Sequence, residues 1–238
     1  MEEVNKLFKQ TCRAWFVFEA AFRPLSYGRR YLLSRFFTKK PIFLTHFLTS
    51  TCNCRCKICD IWRKPNASDE MTTQEVFSML KQARKLNFVG YVAWGGEPLL
   101  RSDTKDILRC AHDLGLFTCL ITNGTFLADY AKELAKTVDL TIVSLDYPSN
   151  YHDALRGSKG CFSKALAGIS SLTNFGGRVA LNCVLSKLKA ESAQKMLELS
   201  KNIDVRIAFD LWKFFQGLIK NMPCRLRNAV AYSGMSWN

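Results

Sequence analysis

Three cysteines dominate the chemistry this chain could carry. Cys52, Cys56 and Cys59 are spaced C-x3-C-x2-C, with Cys54 between the first two. Thiolates are soft ligands, and a short loop brings them to one metal centre without closing a large ring. A structural zinc site usually takes four protein ligands, commonly as two separated pairs. No second C-x2-C occurs in the sequence. Three cysteines alone would leave one iron of a [4Fe–4S] cube without a protein ligand and open to another molecule. The competing reading puts zinc on Cys52, Cys54, Cys56 and Cys59 in a basic module that contacts nucleic acid. Alternating cysteines make tetrahedral closure awkward, and the positive charge is not gathered around this loop, so nucleic acid is the less favoured partner.

Four further sites carry polar groups at the ends of apolar runs. Gly95-Gly96-Glu97-Pro98 follows one such run. Glycine allows close backbone approach, so a ligand can lie against the main chain, and the next carboxylate suits an ammonium group. Taken alone, the tripeptide is an ordinary turn. Thr122-Asn123-Gly124 is a turn signal, and Ser144-Leu145-Asp146 reads as a helix entry. Asn182 has apolar neighbours and needs a partner, either a ligand or backbone.

Taken together and in this order, these motifs resemble the radical S-adenosylmethionine superfamily over about residues 42–210. The resemblance implies that Cys52, Cys56 and Cys59 hold a [4Fe–4S] cluster whose open iron is chelated by S-adenosylmethionine. It implies an enzyme that cleaves the sulfonium reductively to a 5′-deoxyadenosyl radical, on a substrate the sequence does not identify. Gly95, Gly96 and Glu97 would receive the cofactor's amino group. Thr122, Asn123 and Ser144 would face the cofactor, Ser144 bonding its ribose or carboxylate, while Asp146 reads as a loop or capping residue. His152-Asp153-Ala154-Leu155-Arg156-Gly157 resembles the H-x-x-x-R-G segment of peptide-modifying and cofactor-building members. There the planar fork of Arg156 would suit a carboxylate. Arg156 and Asn182 complete the expected cofactor contacts. A reducing partner such as flavodoxin or ferredoxin is expected from the family. The sequence departs from the pattern in two places. Cys54 is an extra thiol, read as a bystander, and Ile58 stands where many members have an aromatic residue, for which Trp62 could compensate.

These residues must be positioned by strands. Apolar strands are expected at Ile42–Leu48, Tyr91–Trp94, Phe117–Thr122, Leu140–Leu145, Arg178–Leu185 and Val205–Phe209. Thr72-x-x-Glu75 is a capping box that opens a helix to about Leu86. Further helices are expected over roughly 104–114, 126–137, 161–174 and 190–201. Strand and helix alternate with short connections, and the polar motifs fall where strands end. The fold class is therefore α/β, a six-stranded parallel partial (β/α)6 TIM-like barrel with an N-terminal helical extension. Three parts are expected: a basic, aromatic-rich extension at 1–41, the core at 42–210, and a tail at 211–238 that reads as a cap or a truncation. A truncated relative would bind the cluster without turnover.

Charge and the other cysteines bound the setting. The net charge of +14 lies mostly at the ends: residues 1–45 carry nine Lys or Arg against three Glu, and the last 28 carry four and no acid. A periphery of this kind suits an anionic membrane surface, met through residues 8–40, or simply a leader helix with solvated cations. Of ten cysteines, Cys12, Cys110, Cys119, Cys161, Cys183 and Cys224 are scattered singly. They read as reduced core residues, and with no recognisable signal peptide a cytoplasmic setting is expected, with peripheral membrane contact left open. His46, which could reach the barrel lumen, and His112 both read as structural.

Overall fold

A computed structural model describes residues 42–63, 70–185 and 190–210. Six strands form one sheet: β1 (Phe43–Thr49), β2 (Gly90–Gly95), β3 (Phe117–Thr122), β4 (Leu140–Ser144), β5 (Val179–Val184) and β6 (Arg206–Asp210). They lie in chain order, each parallel to the next. The crossovers carry α1 (Thr73–Lys85), α2 (Thr104–Asp113), α3 (Leu127–Thr137), α4 (Tyr151–Arg156), α5 (Cys161–Asn174) and α6 (Ala190–Asn202). The sheet is not closed, so the expected partial barrel is what forms. Each expected strand is found with its ends moved by no more than one residue. The expected N-terminal extension, the tail and the basic stretch 8–40 lie outside the described residues.

Alternation along the strands gives the sheet two apolar faces. Tyr91, Ala93, Leu120, Val143, Leu145 and Leu181 point to the helices and pack on Val76, Leu80, Ile107, Leu108, Leu134 and Ile169. Their neighbours Val92, Phe117, Cys119, Leu140, Ile142 and Ala180 form a second cluster made of strand residues alone, which fills the barrel interior. His46 belongs to the helix side: its Nδ1 lies 2.8 Å from the hydroxyl of the fully buried Tyr91. Burial, and then the nearby Arg101 charge, hold its pKa below the ordinary histidine value.

Local chemistry fixes the ends of these elements. Thr72 and Glu75 form the expected capping box at α1, with the Thr72 N–H donating to Glu75 Oε2 at 2.8 Å. Gly168 lets α5 lie against the start of α3, since a Cβ there would stand 2.7 Å from Leu127 Cβ. The sequence pattern does not announce α4. It is six residues long with only His152 buried, too short for a helical period to register.

Candidate active site

The polar motifs converge at the C-terminal edge of the sheet. Backbone pairing between β1 and β2 continues past the strands: Gly96 N–H donates to Thr49 O at 2.7 Å and Glu97 N–H to Thr51 O at 2.8 Å. The glycines make this possible. A Cβ on Gly95 would come within 2.5 Å of Thr49 O, and one on Gly96 would fall on Thr51 O. What lies closest against this glycine pair is therefore the main chain that leads into the cysteine loop. Glu70 holds the same exit, accepting from Thr49 Oγ1 at 3.0 Å and Ser50 N–H at 2.7 Å.

Glu97 is fully buried beneath that edge. Its Oε1 accepts from Thr122 Oγ1 at 2.7 Å and Leu99 N–H at 3.1 Å, and its Oε2 from Asn123 N–H at 2.7 Å. Burial pushes its pKa up to about 7, against the pull of these bonds. A carboxylate offers about four lone-pair positions, so one on Oε2 has no donor among the described residues. Asn123 continues the chain of contacts, donating from Nδ2 to Asn53 Oδ1 at 2.8 Å and to Cys54 Sγ at 3.4 Å. Glu97, Thr122 and Asn123 thus form one unit that reaches into the cysteine loop.

The loop is stapled on its other side to α4. Arg55 N–H donates to Arg156 O at 2.8 Å, and Lys57 N–H to Leu155 O at 3.1 Å. Gly157 ends α4 in the left-handed region (φ 58°), and a Cβ there would stand 2.5 Å from Arg55 O. Trp62 donates from Nε1 to Cys56 O at 3.2 Å, with the Arg55 guanidinium 5.2 Å from its ring centre. An aromatic ring therefore does sit on the loop, although Ile58 is not aromatic.

Five thiols pack together here: Cys54, Cys56 and Cys161, with Cys52 and Cys59 against them. Cys161 comes from the start of α5, 107 residues beyond Cys54, and the two sulfurs are 4.0 Å apart. His152, fully buried, accepts the Asp146 N–H on Nδ1 at 3.1 Å, which leaves Nε2 to carry the ring proton toward Cys161 Sγ at 3.7 Å. Hydrogen bonding from Cys54 draws the Cys56 and Cys161 thiols down, and the same bonds hold Cys54 up. Cys52 is lowered by the same neighbour, while burial raises Cys59. Cys52 and Cys56 are thereby shifted toward the thiolate, the form that binds metal.

Arg156, expected to suit a carboxylate, finds one within the chain: its Nη2 pairs with Asp146 Oδ2 at 2.7 Å. Its Nη1 lies 3.9 Å from Cys56 Sγ, and its buried Nε has no partner. Asp146 is more than a loop residue, since its Oδ1 also accepts the Val184 N–H at 3.0 Å. Asn182 has a partner that its apolar neighbours in the sequence do not announce. Its Nδ2 donates to Asp210 Oδ2 at 2.9 Å, a side-chain partner rather than a backbone one. The cause is register, because β6 places Ala208 beside Asn182 and Asp210 beside Val184. Ser144, half-buried and in register with Asn182, keeps its hydroxyl unpartnered among the described residues.

The radical SAM superfamily model matches residues 47–199, more than half of the chain. The chain belongs to the radical SAM superfamily. That membership sets aside the zinc module as an account of the loop. The AdoMet-dependent heme synthase of Methanosarcina barkeri is 32% identical over 173 residues, covering 70% of this chain and 49% of that protein. This chain therefore spans about half the length of that curated relative. Among solved structures, Streptococcus suis SuiB bound to S-adenosylmethionine superposes with a TM-score of 0.65 at 16% identity, over 77% of this chain and 44% of that one. For anSMEcpe with bound AdoMet and the Cp18Cys peptide the TM-score is 0.61 at 22% identity, over 72% and 51% of the two chains. At such identities the likeness carries the fold, the partial barrel of radical SAM enzymes.

Radical SAM proteins use a [4Fe–4S] cluster with S-adenosylmethionine and work with a reducing partner. The residues present fit both groups. The loop offers four soft thiols, three of them in the C-x3-C-x2-C spacing, and the orphaned Nε of Arg156 is a spare buried donor on the same side chain that reaches Cys56. Among the described residues, no three His, Cys, Asp or Glu side chains are gathered closely enough for a single metal ion. A four-iron cube binds each thiolate on a different iron and spreads its ligands more widely. Among the same residues, no helix is long and apolar enough to cross a membrane.

Proposed function

We propose that this chain is a radical SAM enzyme in which Cys52, Cys56 and Cys59 ligate a [4Fe–4S] cluster. In the same reading the edge formed by Gly95, Gly96, Glu97, Thr122, Asn123, Ser144 and Arg156 holds S-adenosylmethionine. The observation that carries the reading is the cysteine loop itself. It sits at the strand C-termini, bound by backbone hydrogen bonds to the β2 exit on one side and to α4 on the other. When bound, the cluster and cofactor supply a 5′-deoxyadenosyl radical by reductive cleavage of the sulfonium.

The chain's own residues bind and orient. The free lone pair of Glu97 Oε2 takes the cofactor's ammonium, and the Ser144 hydroxyl takes its ribose or carboxylate. Thr122 and Asn123 act mainly by holding Glu97 in place. Asn182, in register with Ser144 and donating to Asp210, adds a further polar contact to the cofactor. A low-potential protein such as flavodoxin or ferredoxin supplies the electron, and the basic stretch 8–40 adds contact with an anionic membrane surface.

Anaerobic reconstitution with iron and sulfide, followed by EPR of the reduced protein with and without S-adenosylmethionine, tests the site. About four irons per chain and a signal that changes on adding the cofactor are expected. Cys52→Ala, Cys56→Ala and Cys59→Ala each lose the cluster, whereas Cys54→Ala keeps it. Full iron content in all three ligand variants would overturn the assignment. Cofactor cleavage without substrate conversion would mark a cluster-binding relative that has lost turnover. Flotation with anionic liposomes, with and without residues 1–40, tests the membrane contact; protein that stays in the soluble fraction at low salt refutes it.

A further inference from the structure

The described residues hold one buried charge pair that touches the cysteine loop directly. Arg156 and Asp146 meet at 2.7 Å with their side chains 13% and 5% exposed. The pair is built in from three directions. Asp146 is fixed to the end of β5 by the Val184 N–H and to α4 through His152 Nδ1. Arg156 closes the helix whose backbone is stapled to the loop at Arg55 and Lys57. The Arg156 Nη1 then lies 3.9 Å from Cys56 Sγ, while its Nε stays unpartnered. Removing a buried pair of this kind from water is costly unless geometry and further bonds compensate. Here the guanidinium adds one contact on the sulfur side, from Nη1 to Cys56.

We infer that Arg156 is a positioning residue for the cluster, raising its reduction potential through Cys56, and that Asp146 sets how much of that charge the cluster feels. The inference rests on the cluster ligation proposed above. Reduction adds one electron and no atom, so the cluster becomes one charge more negative. A fixed cation and an N–H···S contact favour that state, and cluster potentials follow net charge and hydrogen bonds to sulfur. A carboxylate facing the cation opposes it. The two members of the pair must therefore act with opposite signs.

The test is a redox titration of the reconstituted protein without S-adenosylmethionine, with dithionite as the one-electron reductant through mediators. EPR reads the cluster, and iron is counted in every sample. Leaving the cofactor out separates this role from cofactor binding. Arg156→Gln is expected to lower the equilibrium constant for reduction about tenfold, which is about 59 mV more negative for a one-electron couple. Arg156→Lys keeps the charge and recovers most of that change, and Asp146→Asn moves the potential the other way. Unchanged potentials at full iron content overturn the inference, and so do shifts of the same sign in Arg156→Gln and Asp146→Asn, which would mean general loosening. If Arg156→Gln loses iron, Arg156→Lys and Asp146→Asn decide alone. A wild-type chain that assembles no cluster would instead refute the cluster ligation itself.

Discussion

Replacing Glu97 by glutamine should change how stability depends on pH, and in a direction opposite to that of most carboxylates. Glu97 titrates at about 7 in the fold and at 4.5 in the unfolded chain, because burial disfavours its charged form. Between those values the folded state binds more protons than the unfolded state, so stability falls as pH rises. The size follows from the separation of the two values: about 3 kcal/mol, lost progressively and complete above pH 7. Glu97→Gln cannot titrate and removes this term. It introduces another, because its amide NH2 must face either the Asn123 N–H or the donors Thr122 Oγ1 and Leu99 N–H. One buried donor left facing a donor costs about 1–3 kcal/mol at every pH. The variant should therefore be less stable than wild type at pH 5 and about equal or more stable at pH 8. Urea denaturation of both proteins at several pH values reads the difference, which cancels other titrating groups. A wild-type-minus-variant difference that stays flat from pH 5 to 8 would refute the reasoning.

Gly96→Ala places a Cβ on the Thr51 carbonyl oxygen, a backbone atom that cannot swing aside. A loss of about 1–3 kcal/mol is expected from overpacking, seen as a lower Tm, together with reduced iron per chain because the displaced segment leads into Cys52. Normal iron loading and an unchanged Tm would contradict the close approach. Tyr91→Phe removes the partner of His46 Nδ1 on the helix side of the sheet. It should cost about 1–2 kcal/mol in urea denaturation while leaving iron content untouched, because that contact is on the opposite face from the barrel interior.

The sheet was legible because its signals are local. Strands such as Phe117–Thr122 and Val179–Val184 are short apolar runs ended by turn residues, and the Thr72–Glu75 box marks α1 from four residues alone. The loop cysteines were legible for the same reason, since their spacing is itself the signal. The interactions between side chains were not. Glu97 reads as a free ligand for an ammonium group, yet three donors already hold it, two of them from residues 25 and 26 positions away. Arg156 reads as waiting for a carboxylate, and Asp146, ten residues earlier, supplies it once α4 folds back.

Cys161 is the clearest case of what spacing cannot carry. In the sequence it is one scattered cysteine at the start of a helix, no different from Cys110 or Cys119. In the fold its sulfur is 4.0 Å from Cys54, because α4 and α5 bring it under the loop that Arg55 and Lys57 bind to α4. Only H-x-x-x-R-G, which ends four residues before Cys161, hinted that this region belongs with the cysteines. Its histidine bonds toward Cys161, its arginine reaches Cys56 and its glycine admits Arg55 O. Each of the three motif residues is thus explained by a contact with the cysteine cluster or its loop. The motif therefore supports the cysteine loop from α4, a role that its spacing in the sequence does not reveal.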